Sequence, residues 1–243
     1  MKRILMVVLA VLPLAATAAK KPIPLPEAAG AAMSGKTVVV TRHEKPSFVA
    51  FTPGKAMFAM IGAAAMISAG NKIVRENEVT DPTDIIESEL VPAVARHYGF
   101  TVKPGPAPVI AANKPKDILA AQADGDYVLD LQSTGWQLAY YPVPVGRYWT
   151  SYAVRVQLVE RATGKVLSDA SCLANNHKHA TPPTYDALLA DKAQLLKDAQ
   201  ASHGWSCVQV LGKDQFHLAD GEAPAIPAAY VDPLAAYAAT HKD

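Results

Sequence analysis

The spacing of hydrophobic and polar residues predicts a folded middle section that begins with a strand and two helices. Residues 37–41 form a β-branched run that predicts a strand, and residues 56–70 form an apolar, small-residue segment that predicts a helix. A second helix should begin with Asp81 as the acceptor that caps its first turn, kink at Pro92 and run to His97, with Gly99 as its cap. Proline removes a backbone hydrogen bond from a helix, and glycine favours the left-handed position that follows its last turn.

The second half of this section predicts a meander followed by a long helix. A short strand at residues 100–103 and a short helix at 116–122 precede strands at 126–140, 147–160 and 165–172. A bulge near Gly135 would keep the apolar residues of the first meander strand on one face, and Gly164 should form the last hairpin turn. Apolar residues recur at helical spacing after Thr184. The order strand, helix, strand, helix, three-strand meander, helix predicts an α+β fold, an antiparallel-rich sheet with helices packed on one face.

The first residues have the pattern of a secretory signal peptide, which we assign to residues 1–19. Lys2 and Arg3 precede an apolar stretch that closes on Ala16-Thr17-Ala18. The stretch is shorter than the roughly 20 residues that span a bilayer, and an uncleaved anchor is the alternative. Since no cysteine lies near the predicted cleavage point, a lipoprotein anchor is not expected. The chain is therefore predicted to be periplasmic, and not a lipoprotein.

Composition divides the remaining chain into a Pro/Ala-rich linker at residues 20–35, a single domain at 36–212 and an Ala/Pro-rich tail at 213–243. Removal of Lys2 and Arg3 from the 23 basic residues leaves 21 against 22 acidic ones, a net charge of −1. This balance gives no reason to expect binding to nucleic acid or to anionic lipid. At 50% hydrophobic residues the domain can bury a substantial core.

Cys172 and Cys207 are the two cysteines of the chain. An exported protein meets an oxidising compartment, and an even number of cysteines favours pairing. A disulfide between them is predicted to attach the long helix to the last strand of the meander.

A resemblance to a known family is carried by three stretches. They are Lys55-Ala56-Met57-Phe58 with Gly62-Ala63-Ala64-Ala65-Met66, Asp126-Tyr127-Val128-Leu129-Asp130 with Trp136, and Gly164-Lys165-Val166-Leu167 to Cys172. These resemble an uncharacterised family of exported proteobacterial proteins, which implies no known activity. More loosely, the order of elements is similar to that of small envelope lipoproteins such as the curli secretion lipoprotein and the penicillin-binding-protein activators. A likeness of fold does not transfer function.

Two groups of residues could carry chemistry. Arg42 and His43 follow the first strand as in histidine phosphatases, but Glu44 replaces the glycine of that motif and would repel a phosphate. His177 and His179 could hold a metal ion from an extended loop, although the sequence offers no further ligand and Lys178 between them disfavours a dication. We predict no cofactor and no metal, with a phosphohydrolase or a metal-binding protein as the alternatives.

Two other groups could form an interaction surface. Tyr140, Tyr148 and Trp149 cluster around one hairpin, where packing across the strands is the competing explanation.

Gly54, Gly62 and Gly70 recur every eight residues and would leave a smooth stripe on a helix that another helix can approach closely. This segment is interpreted as a core helix, or alternatively as a self-association element or a membrane-surface contact through residues 56–70. The sequence thus favours a non-enzymatic periplasmic module that acts by contact with an envelope partner or with itself.

Overall fold

The computed structural model of the chain describes residues 21–41, 43–52, 59–105, 114–121 and 124–241. The described strands are β1 (Thr37–Thr41), β2 (Phe48–Ala50), β3 (Thr101–Pro104), β4 (Tyr127–Tyr140), β5 (Tyr148–Glu160) and β6 (Val166–Asn175). The described helices are α1 (Glu27–Ala31), α2 (Ala59–Asn77), α3 (Thr83–Ile85), α4 (Val91–Tyr98), α5 (Pro115–Ala121), α6 (Tyr185–Asp214), α7 (Ala228–Val231) and α8 (Pro233–Thr240). Among these helices, none combines the length and apolar character that a bilayer crossing requires.

The strands form one mixed sheet in the order β3-β1-β4-β5-β6, and β2 also pairs with β4. β4, β5 and β6 form the predicted antiparallel meander, whereas β1 is parallel to both β3 and β4. The prediction of an antiparallel-rich sheet was therefore wrong for this half. Alternation identifies a strand but not its neighbour, and the helices between β1 and β4 supply the long connection that parallel pairing needs.

The main core lies between one face of the sheet and the helices α4 and α6. Alternate residues of β5 face it, as predicted, because successive side chains of a strand point to opposite faces. The sheet contributes Val38, Val40, Leu129, Leu131, Tyr152, Val154, Val156 and Leu158, and the helices contribute Val91, Val94, Leu188, Leu196, Val208 and Leu211.

Several local predictions are confirmed. The register of β4 against β5 shifts between Ser133 and Gly135, which is the expected bulge. Gly99 ends α4 with φ of 70°, and Gly164 has φ of 70° in the turn between β5 and β6. A π-helical turn, Ile86–Leu90, comes directly before the helix that contains Pro92, so the irregularity lies where the missing N–H predicts it.

The segments expected as a linker and a tail pack against the domain instead of lying outside it. Leu25 and Met33 are buried, and the Leu25 N–H donates to the Gln215 carbonyl oxygen at 2.9 Å. Phe216 and Leu234, from the expected tail, are also buried. Proline and alanine therefore mark extended or short helical segments here, and the isolated large apolar residues between them fix those segments to the core.

The long helix α6 is interrupted near its start. Ala190 is extended, and Asp191, Lys192 and Ala193 all have positive φ, between 50° and 57°. Left-handed backbone costs about 1–2 kcal/mol for each residue other than glycine. The predicted continuous amphipathic helix is thus two helical pieces joined by a left-handed turn.

Cys172 of β6 and Cys207 of α6 form the predicted disulfide, with their Cα atoms 5.6 Å apart. The bond closes a loop across a sequence separation of 35 residues. In the chain-entropy treatment such a loop stabilises the folded state by about 3–4 kcal/mol. The disulfide joins the second piece of α6 to the meander.

Candidate functional site

The candidate functional site is a cleft of about 890 Å³ at the place where the sheet is interrupted. β1 ends with Thr41 opposite Asp130, and β2 begins with Phe48 opposite Trp136 of the same strand. Between these pairings the chain leaves the sheet. The cleft lies beyond the carboxyl end of a parallel strand, a common position for ligand sites in open sheets that contain parallel strands.

The helix α2 forms one wall of the cleft and lies directly on β2. A Cβ atom at Gly70 would overlap the carbonyl group of Phe48, so only glycine permits this approach. The neighbouring Asn71 accepts a hydrogen bond from the Phe48 N–H at 3.0 Å and donates one to Ser47 Oγ at 3.2 Å. The glycine thus allows close packing against a strand, whereas the sequence led us to expect another helix at this position.

The other two glycines of the predicted stripe cannot be compared with Gly70 in the same detail. Gly54 lies outside the described residues, and Gly62 is in α2 with its surroundings outside the described part. Beyond it, Ala64 and Ile67 are exposed, while Gly70 is buried. In the described part of residues 56–70, the segment therefore joins the core at its end and exposes apolar side chains before that.

The loop between β1 and β2 forms the opposite wall and is held by Trp136. The indole N–H of Trp136 donates to the Pro46 carbonyl oxygen at 2.8 Å, and the ring packs edge-on against Phe48 at 5.0 Å. The Lys45 ammonium lies 5.9 Å from the centre of the same ring. Trp136 therefore links the loop to the β4 bulge, so a change in either one alters the surroundings of its indole ring.

The floor of the cleft is a connected group of hydroxyls that ends on a carboxylate. The Ser133 hydroxyl donates to Asp81 Oδ1 at 2.6 Å, so it accepts in its contacts with Thr83 at 2.5 Å and Tyr152 at 3.1 Å. The Tyr152 hydroxyl also lies 2.7 Å from the Thr83 oxygen. Asp81 accepts from the Thr83 N–H as well, at 2.9 Å, which is the predicted acceptor at the start of the helix.

Tyr152 is fixed in its protonated state by this environment. Burial raises the pKa of its phenol, and the negative charge of Asp81 acts in the same direction, while hydrogen bonds with Ser133 and Thr83 oppose them. The phenol is thus a hydrogen-bond donor and not a base. The group orders the floor of the cleft, because its three hydroxyls contact one another and Asp81 at 2.5–3.1 Å.

His43 is bonded to a second carboxylate at the end of β1. Its Nε2 lies 2.5 Å from Asp130 Oδ1, which also accepts from the Thr41 hydroxyl at 2.5 Å. The His43 side chain is only 4% exposed. Thr41 and Asp130 pair across β1 and β4 in positions that alternate with the core residues, so they lie on the sheet face opposite the main core.

This arrangement does not favour the hydrolase alternative. The predicted hydrolase would attack phosphorus through a ring nitrogen of His43, and the Nε2 of that ring is bonded to Asp130 Oδ1. Arg42 lies outside the described residues. The described cleft carries five carboxylates and two cationic side chains, so it would repel a phosphate. The carboxylates belong to Glu44, Glu78, Asp81, Asp84 and Glu87, and the cations to Lys45 and Arg75.

The site residues in the cleft were only partly visible in the sequence. Asp81 was identified as a helix-start acceptor, but Ser133 was interpreted only as a strand residue, and Tyr152 was grouped with the aromatic residues around the hairpin. The signal that could have found Ser133 is the bulge beside it, because bulges often lie next to functional sites. Thr83 and Tyr152 reach it only through folding, over sequence separations of 50 and 19 residues.

The two histidines of the predicted metal alternative point to different partners. His179 Nε2 lies 3.1 Å from Asp232 Oδ1, whereas the His177 ring stacks on Tyr141 with 5.2 Å between centroids. Within the described ranges, no group of three or more His, Cys, Asp or Glu side chains is placed to hold a metal ion.

The predicted aromatic cluster is split between the two faces of the sheet. Tyr148 is buried against Tyr185 with 5.4 Å between the ring centroids, and Tyr140 is packed against the core. Trp149 is half-buried and meets the edge of His177 at 4.9 Å. Packing therefore accounts for Tyr140 and Tyr148, and Trp149 is the residue of the three that lies near an exposed surface.

No known protein family matches this chain. No curated protein matches it either. Solved structures give loose matches. Lipoprotein GNA1162 from Neisseria meningitidis is 15% identical, with 57% of this chain and 81% of that one covered and a TM-score of 0.28. The LpoB C-terminal domain from Salmonella enterica is 12% identical, with coverages of 58% and 84% and a TM-score of 0.27.

A third structure, of a neuraminyllactose-binding hemagglutinin homolog from Helicobacter pylori, is 13% identical, with coverages of 76% and 90% and a TM-score of 0.30. Scores of this size carry no argument about function. The resemblance to an exported family of uncharacterised proteins stays a prediction.

Proposed function

We propose that this protein is a non-enzymatic module of the bacterial cell envelope, and that the cleft between β1, β2 and α3 binds a partner segment that carries positive charge. The observation that carries this proposal is the charge of the cleft. Among the described residues that line it, five are carboxylates and two are cationic, and they surround an ordered floor of hydroxyl groups. Such a site attracts amino groups and can accept their hydrogen bonds.

Two further features support the envelope setting. The first residues have the composition of an export signal, and the Cys172–Cys207 disulfide is the kind of bond that persists in an oxidising compartment. A binding role also agrees with the chemistry of the cleft, because Tyr152 is held protonated and the Ser133 hydroxyl donates to a carboxylate and not to a histidine.

The three tryptophans of the chain allow a direct test by NMR. The indole N–H of Trp136 is bonded to the cleft loop, while Trp205 is buried in α6 and serves as an internal reference. Trilysine added at low salt should shift the Trp136 signal and leave the Trp205 signal in place, and triglutamate should shift neither.

A matched pair of double variants tests the charge argument. Glu44→Gln with Glu78→Gln removes two exposed cleft carboxylates, and Asp214→Asn with Asp220→Asn removes two exposed carboxylates elsewhere. Because each exposed ion pair contributes about 0.2–1 kcal/mol and the first variant removes two carboxylates, it should bind trilysine about 2–30-fold more weakly, and the second should bind unchanged. An unmoved Trp136 signal, or equal affinity in both variants, would contradict the proposal. Phosphatase activity that is lost in His43→Ala would instead support the hydrolase.

A further inference from the structure

The tip of the β4–β5 hairpin is an exposed apolar projection. Val143 and Val145 are each 82% exposed, and Pro142 before them and Pro144 between them are also exposed. Gly146 completes the turn with φ of 81°, and the Tyr141 N–H closes it on the Arg147 carbonyl oxygen at 2.8 Å. The tip therefore presents two branched apolar side chains on a closed, convex turn.

Aromatic side chains lie directly behind this tip on one face of the sheet. The Tyr141 ring stacks on His177 and its hydroxyl donates to the His177 carbonyl oxygen at 2.6 Å, while Trp149 meets the same histidine edge-on. Leu173 is 68% exposed and pairs opposite Ala153 of β5. Both Ala153 and Trp149 occupy positions of β5 that alternate with its core residues. Trp149 and Leu173 thus share the sheet face opposite the main core.

The distal part of the β4–β5 hairpin carries positive charge, although the chain as a whole is near neutral. Between Asp130 and Glu160 the chain has no acidic residue. Arg147 stands at the base of the turn and donates to the Pro182 carbonyl oxygen at 3.3 Å, and the exposed Lys178 follows His177. Asp186 lines a pocket behind the hairpin with Arg147, and Asp232 lines another with Lys178, so these carboxylates offset part of the positive charge.

We infer that this hairpin tip is a membrane-contact wedge that inserts Val143 and Val145 into the surface of an anionic bilayer. Trp149 and Tyr141 then lie at the level of the headgroups, where amphipathic rings are favoured, and Lys178 and Arg147 face the phosphates. The order apolar tip, aromatic ring, cationic side chain follows the polarity of a bilayer from inside to outside. A convex tip suits a lipid surface better than a protein groove of fixed shape. This inference is independent of the cleft.

Vesicle sedimentation tests the inference with the exported and processed protein. The wild type should sediment with vesicles that contain phosphatidylglycerol, and more weakly with phosphatidylcholine alone, and the difference should fall in high salt. Val143→Ser with Val145→Ser should lower the partition coefficient at least about 10-fold. Full burial of one valine side chain already changes an equilibrium constant by about that factor. Ile67→Ser, at a 39% exposed site on α2, is the matched control and should leave partitioning unchanged.

A second measurement locates the contact. Lipids brominated near the headgroup should quench wild-type fluorescence on binding, and Trp149→Phe should abolish most of this quenching while the protein still sediments. The inference is overturned if the double serine variant sediments like the wild type, if the Ile67→Ser variant loses binding instead, or if Trp149→Phe is quenched as strongly as the wild type. It is also overturned if no vesicle binds and the tip is protected only by a protein partner from envelope extracts.

Discussion

His203 should make the stability of this protein depend on pH. The side chain lies in α6, where the residue is 5% exposed, and its Nε2 is 2.9 Å from the Thr150 hydroxyl oxygen. Burial lowers the pKa of this imidazole from 6.5 to about 4, and the hydrogen bond with Thr150 opposes that effect only in part. The folded protein therefore keeps His203 neutral under conditions in which the unfolded chain already binds a proton.

The sign and size of the effect follow from this difference. Above pH 6.5 both states are neutral and His203 contributes no pH dependence. As the pH falls from about 6.5 to about 4 the unfolded state gains a proton that the folded state lacks, so the free energy of unfolding decreases, and below about 4 the loss is complete. A fall of the pKa from 6.5 to about 4 corresponds to roughly 3 kcal/mol.

Urea unfolding between pH 7 and pH 4, compared between the wild type and variants, measures the contribution of His203 to the free energy of unfolding. His203→Gln removes the titrating group, and His177→Gln removes an exposed histidine as the control. Because carboxylates titrate in the same range, the quantity of interest is the loss of stability in the wild type minus that in each variant. Equal losses in the wild type and in His203→Gln would show that the imidazole is not held neutral by burial.

Two backbone predictions concern stability at constant pH. Gly70→Ala should destabilise the protein by about 1–3 kcal/mol, since the new Cβ displaces α2 from Phe48. Gly212→Ala should be near neutral, because its Cβ would meet the flexible end of Leu218 at 3.2 Å and would make ordinary contacts with Leu90 and Ala223 at 3.5 and 3.6 Å. Thermal melting that shows equal shifts in both variants would refute the close approach at Gly70. Lys192→Gly should stabilise the protein by about 0.5–1 kcal/mol, because glycine adopts the left-handed conformation of this position without the steric cost that lysine has. Lys197→Gly, in the regular part of α6, should destabilise it by a similar amount. Destabilisation by both variants in urea titrations would argue against the left-handed turn.

Features that depend on a few neighbouring residues followed from the sequence. Glycine at position 99 ends a helix and at position 164 closes a turn, because no other residue adopts positive φ without cost. The β4 bulge was predictable because the side-chain period of a strand is two, and the apolar positions change parity near Gly135. The pairing of Cys172 with Cys207 needed only the count of cysteines and the expected compartment.

The candidate cleft could not be predicted in the same way, because its parts are distant in the chain. Thr41 and Asp130 are separated by 89 residues, and Thr83 and Ser133 by 50. A polar residue in a strand pattern carries no information about which element will lie opposite it. The sequence marked Asp81 as an acceptor, and folding supplied the serine that donates to it.

The sequence by itself determined where strands, turns and the disulfide lie, since each is set by local stereochemistry or by composition. The tertiary structure alone decided that β1 pairs in parallel beside β4, that the Pro/Ala-rich ends are fixed by Leu25 and Phe216, and that α6 is interrupted by a left-handed turn. These outcomes come from packing between distant segments, in which burial of a few large side chains outweighs the local preference of the backbone.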